Sequence, residues 1–377
     1  MTTSSRYPWS LAIVAATLSF GTVGTIGCQS IAGIESRRLG PCGEYCDTVM
    51  ASCKGTHATY ATYEACMGVC QLLPEGNALE PAGTNTVACR LTEARAAAIS
   101  EPDVHCLGAG PGGGSVCGSD CESYCLLYKA ACGSNWYTYG TLEQCTESCQ
   151  ALRDRKAFDA VSDHDGDTLQ CRLVHTSSAT IEPATHCEHA VLAPPTAPCV
   201  DAQDAPPVCT HYCNVVSVAC QGENAQYEDT STEHTQCLAA CKAFALGTNA
   251  DEDINTVGCR TYHAYNALLA PGTHCSHAGP TGDGHCGKVN DTQNSICASY
   301  CKLVEPACPA EFAKTYPNGT CEQACTGLPG TSRDSHYTID SGKAAGNSLD
   351  CRMLHTIQSL AGDATQCAAA LGGNGCN

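Results

Sequence analysis

Eight cysteines recur in one order four times, and no other property of the chain restricts its fold as much. The frames are Cys42 to Cys117, Cys121 to Cys199, Cys209 to Cys286 and Cys297 to Cys376. They take thirty-two of the 33 cysteines and leave Cys28 over. A repeat of this kind overrides the two or three domains that 377 residues would otherwise suggest, and divides the chain into four modules, 42–117, 121–199, 209–286 and 297–376. With 6% aromatic residues, units of this size bury too little apolar surface to offset chain entropy comfortably. Even cysteine counts at fixed spacing then read as a disulfide framework, each bridge contributing about 2–4 kcal/mol. Such a framework needs an oxidising compartment.

Within a frame the first three cysteines stand at i, i+4 and i+11, as in Cys42, Cys46 and Cys53. At 3.6 residues per turn one helix carries all three on a single stripe. The next two, Cys66 and Cys70, are i, i+4 on a second helix. A third helix is predicted at a recurring phrase, Asn85-Thr86-Val87-Ala88-Cys89-Arg90, Asp167-Thr168-Leu169-Gln170-Cys171-Arg172, Asn255-Thr256-Val257-Gly258-Cys259-Arg260 and Asn347-Ser348-Leu349-Asp350-Cys351-Arg352. Asn or Asp followed by a hydroxyl residue is N-cap chemistry. Pro102, Pro183 and Pro271 are read as ending this helix, with a Gly- and Pro-rich loop closing each module. The expected fold is mainly α: four tandem disulfide-stapled modules of about three helices each, with no sizeable β-sheet.

Eight cysteines admit roughly a hundred pairings, and sequence does not choose among them. Hairpin geometry suggests third with fourth and second with fifth: Cys53–Cys66, Cys46–Cys70, Cys132–Cys145, Cys125–Cys149, Cys220–Cys237, Cys213–Cys241, Cys308–Cys321 and Cys301–Cys325. Tyr45, Tyr124, Tyr212 and Tyr300 precede the second cysteine in every copy. They are expected to pack in the hairpin with the hydroxyl toward water. Short connectors suggest a string of four beads with limited contact between neighbours.

Arg6 precedes an apolar run at residues 11–20, and residues 1–27 read as a signal peptide. The run is too short and too weakly apolar for a membrane span. The stretch that ends it, Thr25-Ile26-Gly27-Cys28, resembles the lipobox of bacterial lipoproteins, although that family usually has Leu where Thr25 stands. The resemblance implies lipidation of Cys28, membrane attachment through that lipid and a tether over residues 28–41. Gln29, where the family's inner-membrane retention signal would place Asp, implies an outer-membrane lipoprotein of the cell envelope, periplasmic or surface-facing. The formal net charge of −19, one unit more negative once Arg6 leaves with the leader, disfavours nucleic acid as a partner.

Chemistry concentrates in histidines keyed to the frame. His175 lies four residues after Cys171, with His186 and His189 flanking Cys187; His263, His274 and His277 repeat the arrangement in the third module. Three imidazoles from a helix and a loop suit Zn²⁺ or Cu²⁺. The competing reading packs each histidine beside its disulfide. It draws on the other copies, where Glu93, His105 and Gly108, and His355, Gln366 and Ala369, fill the same positions. Gly108-x-Gly110-x-x-Gly113 lacks the preceding strand of a dinucleotide site. Asp163-x-Asp165-Gly166-Asp167 has no distal Glu for calcium and is read as a solvated turn. No nucleophile motif or recurring acid/base pair stands out.

The phrases Cys259-Arg260-Thr261-Tyr262-His263-Ala264 and His274-Cys275-Ser276-His277-Ala278-Gly279-Pro280 resemble a small cysteine-rich module of secreted and lipid-anchored proteins of Gram-negative bacteria. That resemblance implies location and fold, and no activity. The expectation is therefore a non-enzymatic, lipid-anchored envelope protein without a cofactor, a repeat array that binds an unknown protein or matrix partner or serves a structural role. The alternative is metal binding or electron transfer through the histidines of modules two and three.

Overall fold

The structure is a computed structural model describing residues 40–376 apart from 78–82, 134–139, 194–197, 230–233, 291–292, 295, 332–335 and 345. The leader and Cys28 lie outside the described residues.

Among the described residues each module contains four principal helices. In module one they are Gly40–Ser52, Tyr63–Leu72, Val87–Ala97 and Pro102–Ala109. Module two has Asp120–Ala131, Leu142–Cys149, Leu169–Ala179 and Pro183–Ala190, and module three Cys209–Ala219, Thr235–Ala243, Val257–Ala267 and Pro271–Ala278. In module four the corresponding helices are Ile296–Ala307, Cys321–Cys325, Leu349–Leu360 and Cys367–Ala370. The chain is a disulfide-rich, mainly helical repeat protein; among the described residues its one sheet pairs Lys288–Asn290 with Gln293–Asn294. None of the described helices is long and apolar enough to cross a membrane.

The helix count of three is corrected to four because proline acts at both sides of a boundary. Pro102, Pro183 and Pro271 stop the third helix, yet each occupies the first turn of another. There the missing N–H costs nothing and the fixed φ suits the helix. The hydroxyl residue of the recurring phrase is the true N-cap of the third helix: Thr86, Thr168, Thr256 and Ser348 accept from the amides of Cys89, Cys171, Cys259 and Cys351.

Each frame closes on itself, one pattern serving all four: first with fifth, second with fourth, third with seventh, sixth with eighth. The pairings expected from the hairpin, Cys53–Cys66, Cys46–Cys70, Cys132–Cys145, Cys125–Cys149, Cys220–Cys237, Cys213–Cys241, Cys308–Cys321 and Cys301–Cys325, are therefore all incorrect. Antiparallel helices bridge at equal spacing, so the i, i+4 pair Cys42 and Cys46 matches the i, i+4 pair Cys70 and Cys66 as two rungs. Cys53 is nearly two turns beyond Cys46, out of step with a partner one turn away. It bridges instead to Cys106 on the fourth helix. Module three lengthens the interhelix loop by four residues without disturbing the rungs, Cys209–Cys241 and Cys213–Cys237.

The tyrosine hydroxyls face inward, contrary to expectation. Tyr45, Tyr124, Tyr212 and Tyr300 are 0% exposed and donate to the carbonyls of Ala109, Ala190, Ala278 and Ala370 at 2.6–2.7 Å. These carbonyls end the fourth helix and would otherwise lack donors. The arginine after the sixth cysteine serves the same end: Arg90, Arg172 and Arg260, all 0% exposed, donate through Nε to Gly110, Val191 and Gly279. Arg260 also lies over the Phe244 ring, 3.7 Å from its centroid.

The modules are more closely joined than beads on a string. Arg90 reaches Ser123 of module two at 3.0 Å, and Arg260 reaches Ser299 of module four at 3.1 Å. His211 holds the matching position in module three, two residues after the first cysteine, and meets Asp167 at 3.0 Å. Modules three and four share one hydrophobic core containing Tyr212, Val216, Val257, Tyr300, Leu303 and Ile357.

Candidate metal centre

In module three the third helix carries His263 one turn after Cys259, and the fourth carries His274 and His277 at i, i+3 around Cys275. Residues at that spacing share a helix face. The bridges Cys220–Cys275 and Cys259–Cys286 fix the two helices, so the three imidazoles meet. Each offers a nitrogen, and these lie within 4.8 Å of one another. Module two repeats this with His175, His186 and His189.

Hydrogen bonds select the tautomer. His263 Nε2 is 3.1 Å from the Glu252 carbonyl and His175 Nε2 is 3.1 Å from the His164 carbonyl. A carbonyl only accepts, so Nε2 carries the proton and Nδ1 is left as an acceptor, positioned to take a hydrogen bond from the facing imidazole. These Nδ1 atoms face Nδ1 of His274 at 3.0 Å and of His186 at 2.9 Å. Tetrahedral zinc at ordinary Zn–N lengths separates its ligand nitrogens by about 3.3 Å, close to this spacing. The third imidazole of each set, His189 or His277, has a buried Nδ1 with no hydrogen-bond partner. An orphaned acceptor or donor at the same atom in both copies is costly unless something else engages it.

Burial, reinforced by neighbouring imidazoles, pushes His175 and His263 down to about 4 and His277 to about 3. His186 and His274 are lowered for the same first reason, burial. Neutral imidazole is the metal-binding form. The sulfurs of Cys171 and Cys199 approach His175, and those of Cys259 and Cys286 approach His263, but both pairs are disulfides and offer no thiolate.

Modules one and four close the same position differently. Glu93 Oε2 meets His105 Nδ1 at 2.7 Å, and Gly108 stands where the third imidazole would be. In module four His355 Nδ1 meets Gln366 Oε1 at 2.8 Å, opposite Ala369. All six sequence-selected histidines thus fall into two convergent sets. His186, His189, His274 and His277 lie on helices and not in the expected loop, and their i, i+3 spacing is the sign of it.

Two features escaped that reading. His285, one residue before the last cysteine of module three, has its ring centroid 4.1 Å from that of His277 and its Nδ1 3.4 Å from Asp253. The second feature corrects the solvated turn assigned to Asp163 and Asp167, which are buried. Asp163 pairs with Arg155 and accepts from the Asp159 amide; Asp167 joins Arg172, His211 and the Tyr265 hydroxyl between modules two and three. Burial works to raise Asp167, but the Arg172 guanidinium and then His211 hold its carboxyl well below the usual range. A cleft of about 160 Å³ opens here on Asp167, His211, Tyr262 and Tyr265, and none of the six histidines lines it.

No solved structure matches the chain. A family model described as the BfoA family C-terminal domain matches it twice, over residues 41–120 and 204–292, so modules one and three are each similar to that domain.

Proposed function

We propose that this protein is an exported, lipid-tethered envelope protein whose stapled modules are binding units, and that modules two and three bind Zn²⁺ or Cu²⁺. One observation carries the metal assignment: three imidazoles converge in each of two modules, with the leading histidine's Nδ1 turned toward the set as an acceptor by a backbone carbonyl on its Nε2. Imidazole sets of this kind suit both ions, and copper(II) binds nitrogen sites more strongly than zinc. The disulfide frame supports an oxidising compartment and rigid positioning of the ligands. No protein ligand supplies negative charge, so the bound ion keeps its charge and offsets part of the −19 of the chain.

Metal analysis and calorimetric titration of the mature protein test the assignment. Two ions of Zn²⁺ or Cu²⁺ per chain are expected, falling to one in either H175A or H263A. A protein that takes up neither ion overturns it. The tether rests on the lipobox-like Thr25-Ile26-Gly27-Cys28 and on Cys28 standing outside the four frames. Metabolic labelling with palmitate is expected to mark the wild-type protein and not C28A; an unlabelled wild-type protein removes the anchor and leaves the metal assignment standing.

A further inference from the structure

Resting on the metal reading above, we infer that the two centres differ in coordination: His285 completes a closed, four-imidazole set in module three, whereas module two keeps one position open to exchangeable ligands. The bridge between the sixth and eighth cysteines determines where a fourth ligand can come from. It brings the residue before the eighth cysteine alongside the helix that carries the leading histidine. In module three that residue is His285, with its ring centroid 4.1 Å from His277 and 5.3 Å from His263.

Modules one and four report the same proximity without a ligand. In module one the residue is Val116, whose Cβ lies 3.1 Å from a Cβ built at Gly108, the counterpart of His277. In module four it is Gly375, where a built Cβ lies 3.5 Å from His355 Nε2. In module two it is Pro198, which offers no donor. The position therefore abuts the site in modules one, three and four, and of the four residues that hold it only His285 bears a ligand-forming side chain. His285 is 41% exposed, which leaves its ring room to turn inward, and Asp253 Oδ1 at 3.4 Å from Nδ1 can orient it as a carboxylate orients a metal-bound histidine.

Closed sites of four protein ligands are characteristic of retained ions, while three ligands plus an open position admit water or a small anion. Module three is accordingly the holding site and module two the one from which an ion exchanges.

The test isolates each centre by copying module four's residues. H186Q/H189A reproduces Gln366 and Ala369 in module two and leaves only the third module's site; H274Q/H277A does the reverse. Both are titrated with Co²⁺, whose visible spectrum reports coordination, with azide as the probe of an open position. The H186Q/H189A protein is expected to give a tetrahedral spectrum that azide leaves unchanged, and the H274Q/H277A protein one that azide shifts. Adding H285A to the first is expected to weaken Co²⁺ binding about a hundredfold and make it azide-sensitive, while D253N weakens it about tenfold. Retained disulfides and an unchanged far-UV spectrum verify folding. If H285A alters neither affinity nor spectrum, His285 is no ligand and the three-histidine reading survives. If the wild-type chain binds none of Co²⁺, Zn²⁺ and Cu²⁺, that reading fails and this inference with it.

Discussion

Modules two and three and modules one and four share one disulfide pattern, one buried tyrosine contact and one helix order, yet they differ at the three positions where the third and fourth helices meet. His263, His274 and His277 in one become Glu93, His105 and Gly108 in another, and the same bridges form around both. The fold does not require histidine there. The first two of these positions bond to each other in every module: Glu93 with His105 at 2.7 Å, His175 with His186 at 2.9 Å, His263 with His274 at 3.0 Å and His355 with Gln366 at 2.8 Å, and the difference lies at the third, which is Gly108 or Ala369 in modules one and four. Modules two and three leave the Nδ1 of His189 and of His277 buried without a partner. The same atom is left over in both copies, at the place where a bound ion would engage it.

The largest effect should come from carrying the histidines across. Module four already has His355 on the third helix, so Q366H/A369H completes a set within the existing frame. The expected outcome is a third Zn²⁺ per chain by metal analysis, at an affinity within about tenfold of module two's, which is about 1.4 kcal/mol. A grafted chain that still takes up two ions would show that the frame alone does not bring the imidazoles together, and the contrast between modules would need another cause.

The same contrast runs through the junctions. Arg90 and Arg260 bond to a serine of the following module, whereas Arg172 faces Asp167, which in turn meets His211 of module three. An exchange of neutral partners for charged ones makes this junction the one that titrates. D167N should cost about 3 kcal/mol at neutral pH, because it removes the counter-charge of a fully buried guanidinium. The folded carboxyl is held below its ordinary value near 3.9, so its contribution is complete above that pH and fades as pH falls further. Denaturant unfolding at pH 7 and pH 3 checks the sign: the gap between D167N and wild type should narrow in acid. A gap that widens there would contradict the assigned charge state.

Part of this arrangement was legible in the cysteines alone. Spacing of i, i+4 fixed the first two helices, and the recurring phrase with its hydroxyl residue marked the third. The connectivity was not legible, because the partner of the third cysteine lies on a fourth helix that begins at residues read as stops. Pro102, Pro183 and Pro271 end one helix and start another, and local composition does not distinguish the two roles. The junction residues were invisible for a different reason. Ser123, His211 and Ser299 hold one position, but their partners lie 33 to 44 residues away in the preceding module. The buried arginines ran against the ordinary tendency of arginine to stay at the surface. The histidines could be found in sequence because they are keyed to cysteines; their convergence could not, because it depends on those bridges.

The smallest effect should separate what all four modules share from what two of them add. Tyr45 and Tyr212 each donate to the carbonyl that ends the fourth helix, at 2.6 Å, and each also meets a second tyrosine hydroxyl, Tyr60 at 2.7 Å or Tyr227 at 2.9 Å. Burial raises Tyr212 to about 12, so it remains a neutral donor throughout the physiological range. Removing either hydroxyl strands a buried carbonyl, and Y45F and Y212F should each cost about 1 kcal/mol in denaturant unfolding. Only Y212F should also affect metal, since its acceptor, the Ala278 carbonyl, directly follows His277. A freer end to that helix should weaken Zn²⁺ binding in module three about threefold, roughly half the hydrogen bond's worth, while Y45F leaves both centres unchanged. Equal stability losses with a metal effect confined to Y212F would show the common frame and the added imidazoles acting through one helix end. A metal effect from Y45F would mean instead that the modules are coupled over a distance that the junction bonds do not account for.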